Sequence, residues 1–255
     1  MFQSVESLIW GGAFVLTLWL AAAGAERQRL DPWSMYVAGA LGLFGALWGG
    51  SVFAQAMAGN GIDFLRLFSG EKGVFGAIMG AAVLSLSFLA WRRLPVLAYV
   101  DAATPAVFVG YVMMRILCFM DGHCYGVVSD VPWAVHFAPN TEAFANHLAQ
   151  GWVTTNAAQS LAVHPTQLYH ALLGVVAFII LLRMKTVVPG KRFATALMLY
   201  GGGRFVIEFF RGDAAPIFGP LDVNHIAALL MLAVGLLLWR FRVFQQSMPA
   251  QSLTT

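Results

Sequence analysis

MRILCFMDGHCYG, residues Met114 to Gly126, closes a long apolar run that carries an arginine inside it and then breaks into a polar turn with two cysteines and a histidine. The apolar run before that turn is about 20 residues long, the length an α-helix needs to cross a bilayer. Arg115 is therefore expected near or within the hydrocarbon layer, where an unpaired charge costs at least ~2.5 kcal/mol. A charge kept at that cost calls for a partner, either an anion or a carboxylate on another helix, facing a shared cavity. A second stretch, GGGRFVIEFFRGD (Gly201 to Asp213), holds another arginine within an apolar run, Arg204, and the only obvious intramembrane glutamate, Glu208. The remainder of the chain is expected to be the scaffold that joins these two stretches.

The composition fits that reading. Hydrophobic residues make up 59% of the 255 positions and charged residues 11%, against about 25% charged in ordinary soluble domains. The apolar runs are helix-length and lack the short alternation of an outer-membrane barrel. An all-α integral membrane protein follows, a single transmembrane domain over residues 1–255. The net charge of +3 is spread over helix ends, which argues against a nucleic-acid partner. Two cysteines are too few for a disulfide framework. Cys118 and Cys124 are close enough to be paired, metal-bound or free.

Seven spans are expected, at about 8–24, 32–54, 74–91, 96–120, 165–182, 193–210 and 223–239. The first has no basic residue before it and is read as a retained helix, not a signal peptide. In the second, Gly39, Gly42, Gly45, Gly49 and Gly50 form a small-residue stripe suited to close helix contact. Asp101, near the start of the fourth span, is expected to be solvated at the interface and favoured by the helix dipole. Residues 58–73 form a polar connection, and 121–164 a connection without Lys or Arg but rich in aromatics, which is expected to fold over something, as a lid or an amphipathic element in the membrane interface. With the N-terminus outside, basic positions 27, 29, 92, 93, 183, 185, 191, 192, 240 and 242 face inward, against only Arg66, Lys72 and Arg211 outward. The positive-inside rule thus favours an outside N-terminus, a cytoplasmic C-terminus and an outward-facing loop at about 121–164.

On one helix, Arg204, Glu208 and Arg211 would share a face. One reading is an intrahelical ion pair with Arg211 reaching the surface. The other is a phosphate site, because two arginines and one glutamate leave net positive charge, and guanidinium forks suit phosphate oxygens. His164-Pro-Thr-Gln-Leu-Tyr169 opens the fifth span, with Pro165 suited to the first helical position. Its polar side chains either cap backbone or meet a ligand headgroup. The histidines between 123 and 170 match no strong zinc spacing.

Arg115-Ile-Leu-Cys-Phe119 through Cys124-Tyr-Gly126, then Pro132-Trp-Ala-Val135, His164-Pro-Thr-Gln-Leu-Tyr169 and Gly203-Arg-Phe-Val-Ile-Glu-Phe-Phe-Arg211 resemble, in this order, the bacterial prolipoprotein diacylglyceryl transferase family. The resemblance covers roughly positions 70 to 240, and the last two motifs are its most specific. It implies a seven-helix, N-out enzyme of the bacterial inner membrane. Such an enzyme moves diacylglyceryl from phosphatidylglycerol to a lipobox cysteine of a prolipoprotein signal peptide, releases glycerol 1-phosphate and uses no cofactor. Membrane lipid and the signal peptide are its partners. Arg115, Arg204 and Glu208 match essential family residues, and His164, Gln167 and Tyr169 the HPxQLY motif, with Arg211 expected beside the substrate. The sequence also departs from the family. Phe75 stands where a catalytic histidine is usual, and Met114, Leu117, Cys118, Asp121 and His123 replace the Gly, Gly, Asn, Asn and Glu of GRxGNFxNxE. His123 is the nearest sequence candidate for the base that takes the acceptor thiol's proton. Two further readings remain open: a lipid-binding or transport protein that keeps the phosphate site without the chemistry, and a thiol- or metal-dependent enzyme built on Cys118, Cys124 and His123.

Overall fold

A computed structural model describes residues 2–59, 73–185, 188–213 and 217–247. Its helices are α1 (Phe2–Arg27), α2 (Pro32–Met57), α3 (Val74–Trp91), α4 (Val96–Asp121), α5 (Glu142–Ala149), α6 (Thr166–Arg183), α7 (Lys191–Glu208) and α8 (Val223–Ser247). Among the described residues the remaining regular pairing consists of isolated antiparallel bridges. Five helices, α1, α2, α4, α6 and α8, are long and apolar enough to cross a membrane. In α3 the apolar stretch is shorter, Phe75–Trp91, and α7 is diluted by Lys191, Arg192, Arg204, Glu208 and a run of glycines. Among the described residues, seven of the eight helices lie where apolar runs are expected to form them. The addition is α5, a short amphipathic helix inside the long connection. Most of the polar connection at 58–73, with Asp63, Arg66, Glu71 and Lys72, falls outside the described residues.

The chain forms two compact units, Leu18–Ala103 and the remainder, Met1–Thr17 with Thr104–Thr255. In the first, α2 and α3 meet through two GxxxG pairs. A Cβ on Gly45 would strike the Gly80 carbonyl and one on Gly80 the Gly45 carbonyl, and Gly49 and Gly76 stand in the same reciprocal relation. Only hydrogen at these positions lets the backbones come so close. Ser85 Oγ donates to the Ala38 carbonyl at 2.9 Å across the same seam. Asp31 starts α2 by accepting from the backbone N–H of Trp33 and Ser34, at 3.1 and 2.9 Å, with Pro32 following as first helical residue. Asp101 corrects an expectation: it is 1% exposed and sits inside the protein, one full turn into α4, not solvated at the interface.

In the second unit, Gly201 of α7 lies against the backbone of Ala228 and Leu232 of α8, where a Cβ would stand 2.7 Å from Ala228 O and Leu232 N. Gly174 of α6 faces Val112 and Tyr111 of α4. Phe108, Ala177, Leu181 and Ala196 form the buried core between α4, α6 and α7. Residues 121–164 fold over their own small core of Tyr125, Phe137, Ala143 and Val163. This explains the aromatic content of that connection: Phe137 and Phe144 are buried, while Trp133 and Trp152 remain exposed.

Candidate active site

The site is built around Glu208, whose side chain is fully buried at the last residue of α7. Arg204, one turn earlier, places Nε 3.5 Å from Glu208 Oε2. The helix then stops, which corrects the single-face reading. Phe209 and Phe210 turn, and Arg211 leaves the helix to bridge with Gly126, yet its Nη1 still comes within 3.4 Å of Glu208 Oε1. Arg211 does not reach for the surface. Its Nε and Nη2 donate to both carboxylate oxygens of Asp213, at 2.7 and 2.9 Å. Burial opposes its charge, but the Asp213 hydrogen bonds outweigh that opposition and hold the guanidinium more firmly protonated than usual.

Asn224, from the first turn of α8, completes the cluster. Its Nδ2 donates to Glu208 Oε1 at 2.9 Å and to Asp222 Oδ2 at 3.0 Å, and its Oδ1 accepts from Arg204 Nη2 at 3.0 Å. A local device sets this position. Asp222 precedes α8 and accepts from the His225 backbone N–H at 2.9 Å, while His225 Nδ1 lies 3.2 Å from Asp222 N. This is the reciprocal pattern of a capping box with His in the Glu position. Burial disfavours the Asp222 carboxylate, yet the hydrogen bonds from His225 and Asn224 keep it below the usual carboxylate range.

Two tyrosines support the arginines. Arg204 Nη1 donates to Tyr200 OH at 2.7 Å, and the Arg115 guanidinium lies 5.0 Å from the centroid of the Tyr111 ring. Tyr111 and Tyr200 meet edge-on, with centroids 5.3 Å apart, so α4 and α7 carry the two arginines on adjoining aromatic supports. Tyr111 OH also lies 2.9 Å from Nδ1 of the buried His170. Arg115 is 5% exposed, and among the described residues no carboxylate lies within ion-pair distance of it. Its Nε is buried without a hydrogen-bond partner, while Arg204 Nε and Glu208 Oε2, likewise outside any hydrogen bond, face each other as the ion pair at 3.5 Å. The unpartnered Arg115 Nε marks a site whose polar capacity is not used up within the protein.

The HPTQLY segment holds the turn that lies against this cluster. Thr166 Oγ1 donates to the Cys124 carbonyl at 2.6 Å and Gln167 Nε2 to the His123 carbonyl at 2.7 Å. Pro165 stands one position before the helix, with Thr166 its first residue, and no side chain caps this end. Gln167 Oε1 is buried without a partner. His164 Nδ1 lies 2.9 Å from Tyr169 OH, which accepts from Trp133 Nε1 at 2.7 Å. Gly126 is pinned between this segment and the end of α7, donating to His164 O while Val127 donates to Phe210 O.

Arg115, Arg204, Glu208 and Arg211 thus belong to one unit, with Gln167 holding the adjoining turn. His123 points elsewhere. Its imidazole is exposed, pairs with Glu142 of α5, and lines a cleft of about 1090 Å³ with Leu117, Met120 and Asp121. None of Arg115, Arg204 and Glu208 lines that cleft. Phe75, on α3, is 63% exposed and packs on Phe53. Sequence reasoning missed Tyr111, Tyr200, Asp213 and Asn224. Tyr200 and Asp213 were within reach of a local search, at four residues before Arg204 and two after Arg211. Asn224 was not, because it depends on how α8 packs against α7.

The sequence profile of the family described as prolipoprotein diacylglyceryl transferase matches residues 7–241. The chain is 30% identical over 214 residues to a protein of Xanthomonas oryzae pv. oryzae (strain PXO99A) named phosphatidylglycerol–prolipoprotein diacylglyceryl transferase, covering 77% of this chain and 72% of that relative. A protein of the same name from Xanthomonas euvesicatoria pv. vesicatoria (strain 85-10) is 30% identical over 230 residues, covering 82% of this chain and 77% of the relative. One from Corynebacterium glutamicum (strain ATCC 13032) is 27% identical over 184 residues, covering 71% and 58%.

Proposed function

Since the chain belongs to the prolipoprotein diacylglyceryl transferase family, we propose that it transfers diacylglyceryl from phosphatidylglycerol to the cysteine thiol of a prolipoprotein signal peptide. The observation that carries this reading is Arg115, a buried guanidinium that meets no carboxylate among the described residues and has an unused Nε, in one unit with Arg204. Together they hold the phosphodiester. The acceptor thiolate attacks the glyceryl carbon, the carbon–oxygen bond to phosphate breaks, and the two guanidinium groups stabilise the charge gathering on glycerol 1-phosphate. Glu208, with Asn224, orients Arg204 and Arg211 without neutralising all three positive charges. His164, Gln167 and Tyr169 keep the 123–127 turn in place against the bound lipid.

His123, oriented by Glu142, takes the acceptor's proton from the side of the wide cleft, which admits the signal peptide. Phe75, standing where the family carries histidine, favours a second reading, a lipid-binding protein without turnover. Labelled phosphatidylglycerol and an acceptor peptide, supplied to the purified full chain in lipid, separate the two. Release of glycerol phosphate is expected, and binding without release establishes the second reading. The double variant Arg204→Leu with Glu208→Leu tests the phosphate site itself. Exchanging a buried ion pair for apolar residues is often neutral for folding, so a folded but inactive protein is expected. A folded, fully active one refutes the site and leaves a structural ion pair.

Seven helices, all but α5, cross the bacterial inner membrane as one domain, with the N-terminus outside, the C-terminus cytoplasmic and residues 121–164 facing outward. A reporter fused after Gly151 should read as external and one after Lys185 as cytoplasmic. The reverse pair of signals overturns this orientation.

A further inference from the structure

Beyond the lipid site, two thiols lie in contact at the end of α4, and no step of the transfer uses them. The last turn of α4 places them there. Gly122, at φ +69°, reverses the chain, and the backbone N–H groups of Gly122 and His123 return to the carbonyls of Phe119 and Cys118, at 3.3 and 3.0 Å. These are the two bonds of a Schellman motif. Cys124 follows in the left-handed region, at φ 56°. That conformation is uncommon for a residue with a side chain, and Thr166 Oγ1 fixes it by donating to the Cys124 carbonyl. The chain thereby doubles back and brings the Cys124 thiol into hydrogen-bond contact with that of Cys118, six residues earlier. Both are free thiols and both are partly exposed.

The surroundings are cationic. The charges of Arg211 and Arg115 both act on Cys124, through the bridge that joins Gly126 to Arg211 and through the short stretch of α4 between Arg115 and Cys118. The Cys118 hydrogen bond, followed by these two charges, lowers the Cys124 thiol to about 6 against burial. A thiol so placed is largely thiolate at neutral pH, and the thiolate is the reactive form. The imidazole of His123 pairs through Nδ1 with Glu142, and among the described residues no three metal-ligating side chains cluster. A low-lying, accessible thiolate beside a second cysteine has the form of a redox-active dithiol.

We propose that Cys118 and Cys124 form a thiol–disulfide exchange site, with Cys124 as the attacking thiol and Cys118 as the resolving one, and with an organic disulfide as oxidant. Cys124 thiolate attacks one sulfur of the disulfide, forms a mixed disulfide and releases the other half as thiolate. That thiolate takes the proton of Cys118. Cys118 then attacks the Cys124 sulfur, closes the intramolecular bond and expels the second half. Two protein thiols lose two electrons, and one disulfide gains them.

The test uses the full chain in lipid and oxidised glutathione as probe, read by thiol tagging and peptide mass. In the wild type both thiols should disappear together, with a Cys118–Cys124 cross-link and no retained glutathione. Cys118→Ser should trap glutathione on Cys124, and Cys124→Ser should leave Cys118 largely unreacted. Should either variant fail to fold, the peptide mass of the oxidised wild type decides: a Cys118–Cys124 cross-link supports the proposal, and its absence overturns it. Wild-type thiols that survive oxidised glutathione, or glutathione that accumulates on Cys118, also overturn it. The readout is thiol chemistry alone, so failure of the lipid reading leaves this test intact.

Discussion

The α2–α3 seam and the Glu208 cluster are both places where helices approach closely inside an apolar protein, and they solve that problem in opposite ways. In the seam, Gly45, Gly49, Gly76 and Gly80 bring backbone against backbone. Its strength comes from contact area around two GxxxG motifs, with Ser85 donating to the Ala38 carbonyl beside them. In the cluster, four charged or amide side chains, Arg204, Glu208, Arg211 and Asn224, share a few hydrogen bonds and ion pairs, and Arg115 stands in the same unit with no carboxylate beside it among the described residues. The seam is saturated and the cluster is not. A scaffold gains from having no unused polar groups, whereas a binding site must keep some for its ligand.

This contrast is tested most severely by Gly45→Leu. Overpacking normally costs about 1–3 kcal/mol, and here the obstacle is a backbone carbonyl that no rotamer change can move. The expected outcome is loss of the monodisperse, folded fraction on size exclusion, and normal yield would show that the seam is looser than described. Arg115→Ala should do the reverse, leaving helical content and melting temperature near wild type while lipid turnover falls. A charged hydrogen bond is worth ~1.5–3 kcal/mol, which corresponds to roughly tenfold to more than a hundredfold in turnover, and Lys at this position should restore only part because it lacks the bidentate fork.

Asn224→Ala lies between the two regimes. It leaves Glu208 Oε1 and Arg204 Nη2 without their amide partner, at a cost of ~1–3 kcal/mol, and thermal unfolding should register the loss together with a fall in turnover. An unchanged melting temperature would mean that water replaces the amide. The smallest effect is expected at Gly202. A Cβ there meets nothing within 4 Å, while at its neighbour Gly201 it would meet the α8 backbone. Gly202→Ala should be neutral or stabilise by up to ~1 kcal/mol through helix propensity, and Gly201→Ala should destabilise. Equal responses would remove the packing role assigned to Gly201.

Much of this was legible along the chain because it depends on neighbours in sequence. Seven apolar runs gave helices close to their expected limits, the glycine stripe gave the seam, and the charges of Arg115, Arg204 and Glu208 marked the site before any packing was known. Where expectation failed, a contact distant in sequence prevailed. Asp101 is buried by packing although its position near a helix start suggested solvent. Arg211 remains at Glu208 although α7 ends before it, because the 208–213 turn is tied to residues 125–127. His123 turned to Glu142, nineteen residues away on the short helix α5.

The sequence by itself determined which segments are apolar helices and which residues carry charge into them, since hydrophobic length and desolvation cost are properties of a residue and its immediate neighbours. Only the tertiary structure decided which charges meet. That Asn224 bridges Arg204 and Glu208, that Arg115 is buried against Tyr111, and that Cys124 folds back onto Cys118 depend on helix packing and on one left-handed turn. A side-chain hydrogen bond forms only within about 3 Å, a tolerance much finer than any apolar periodicity can specify.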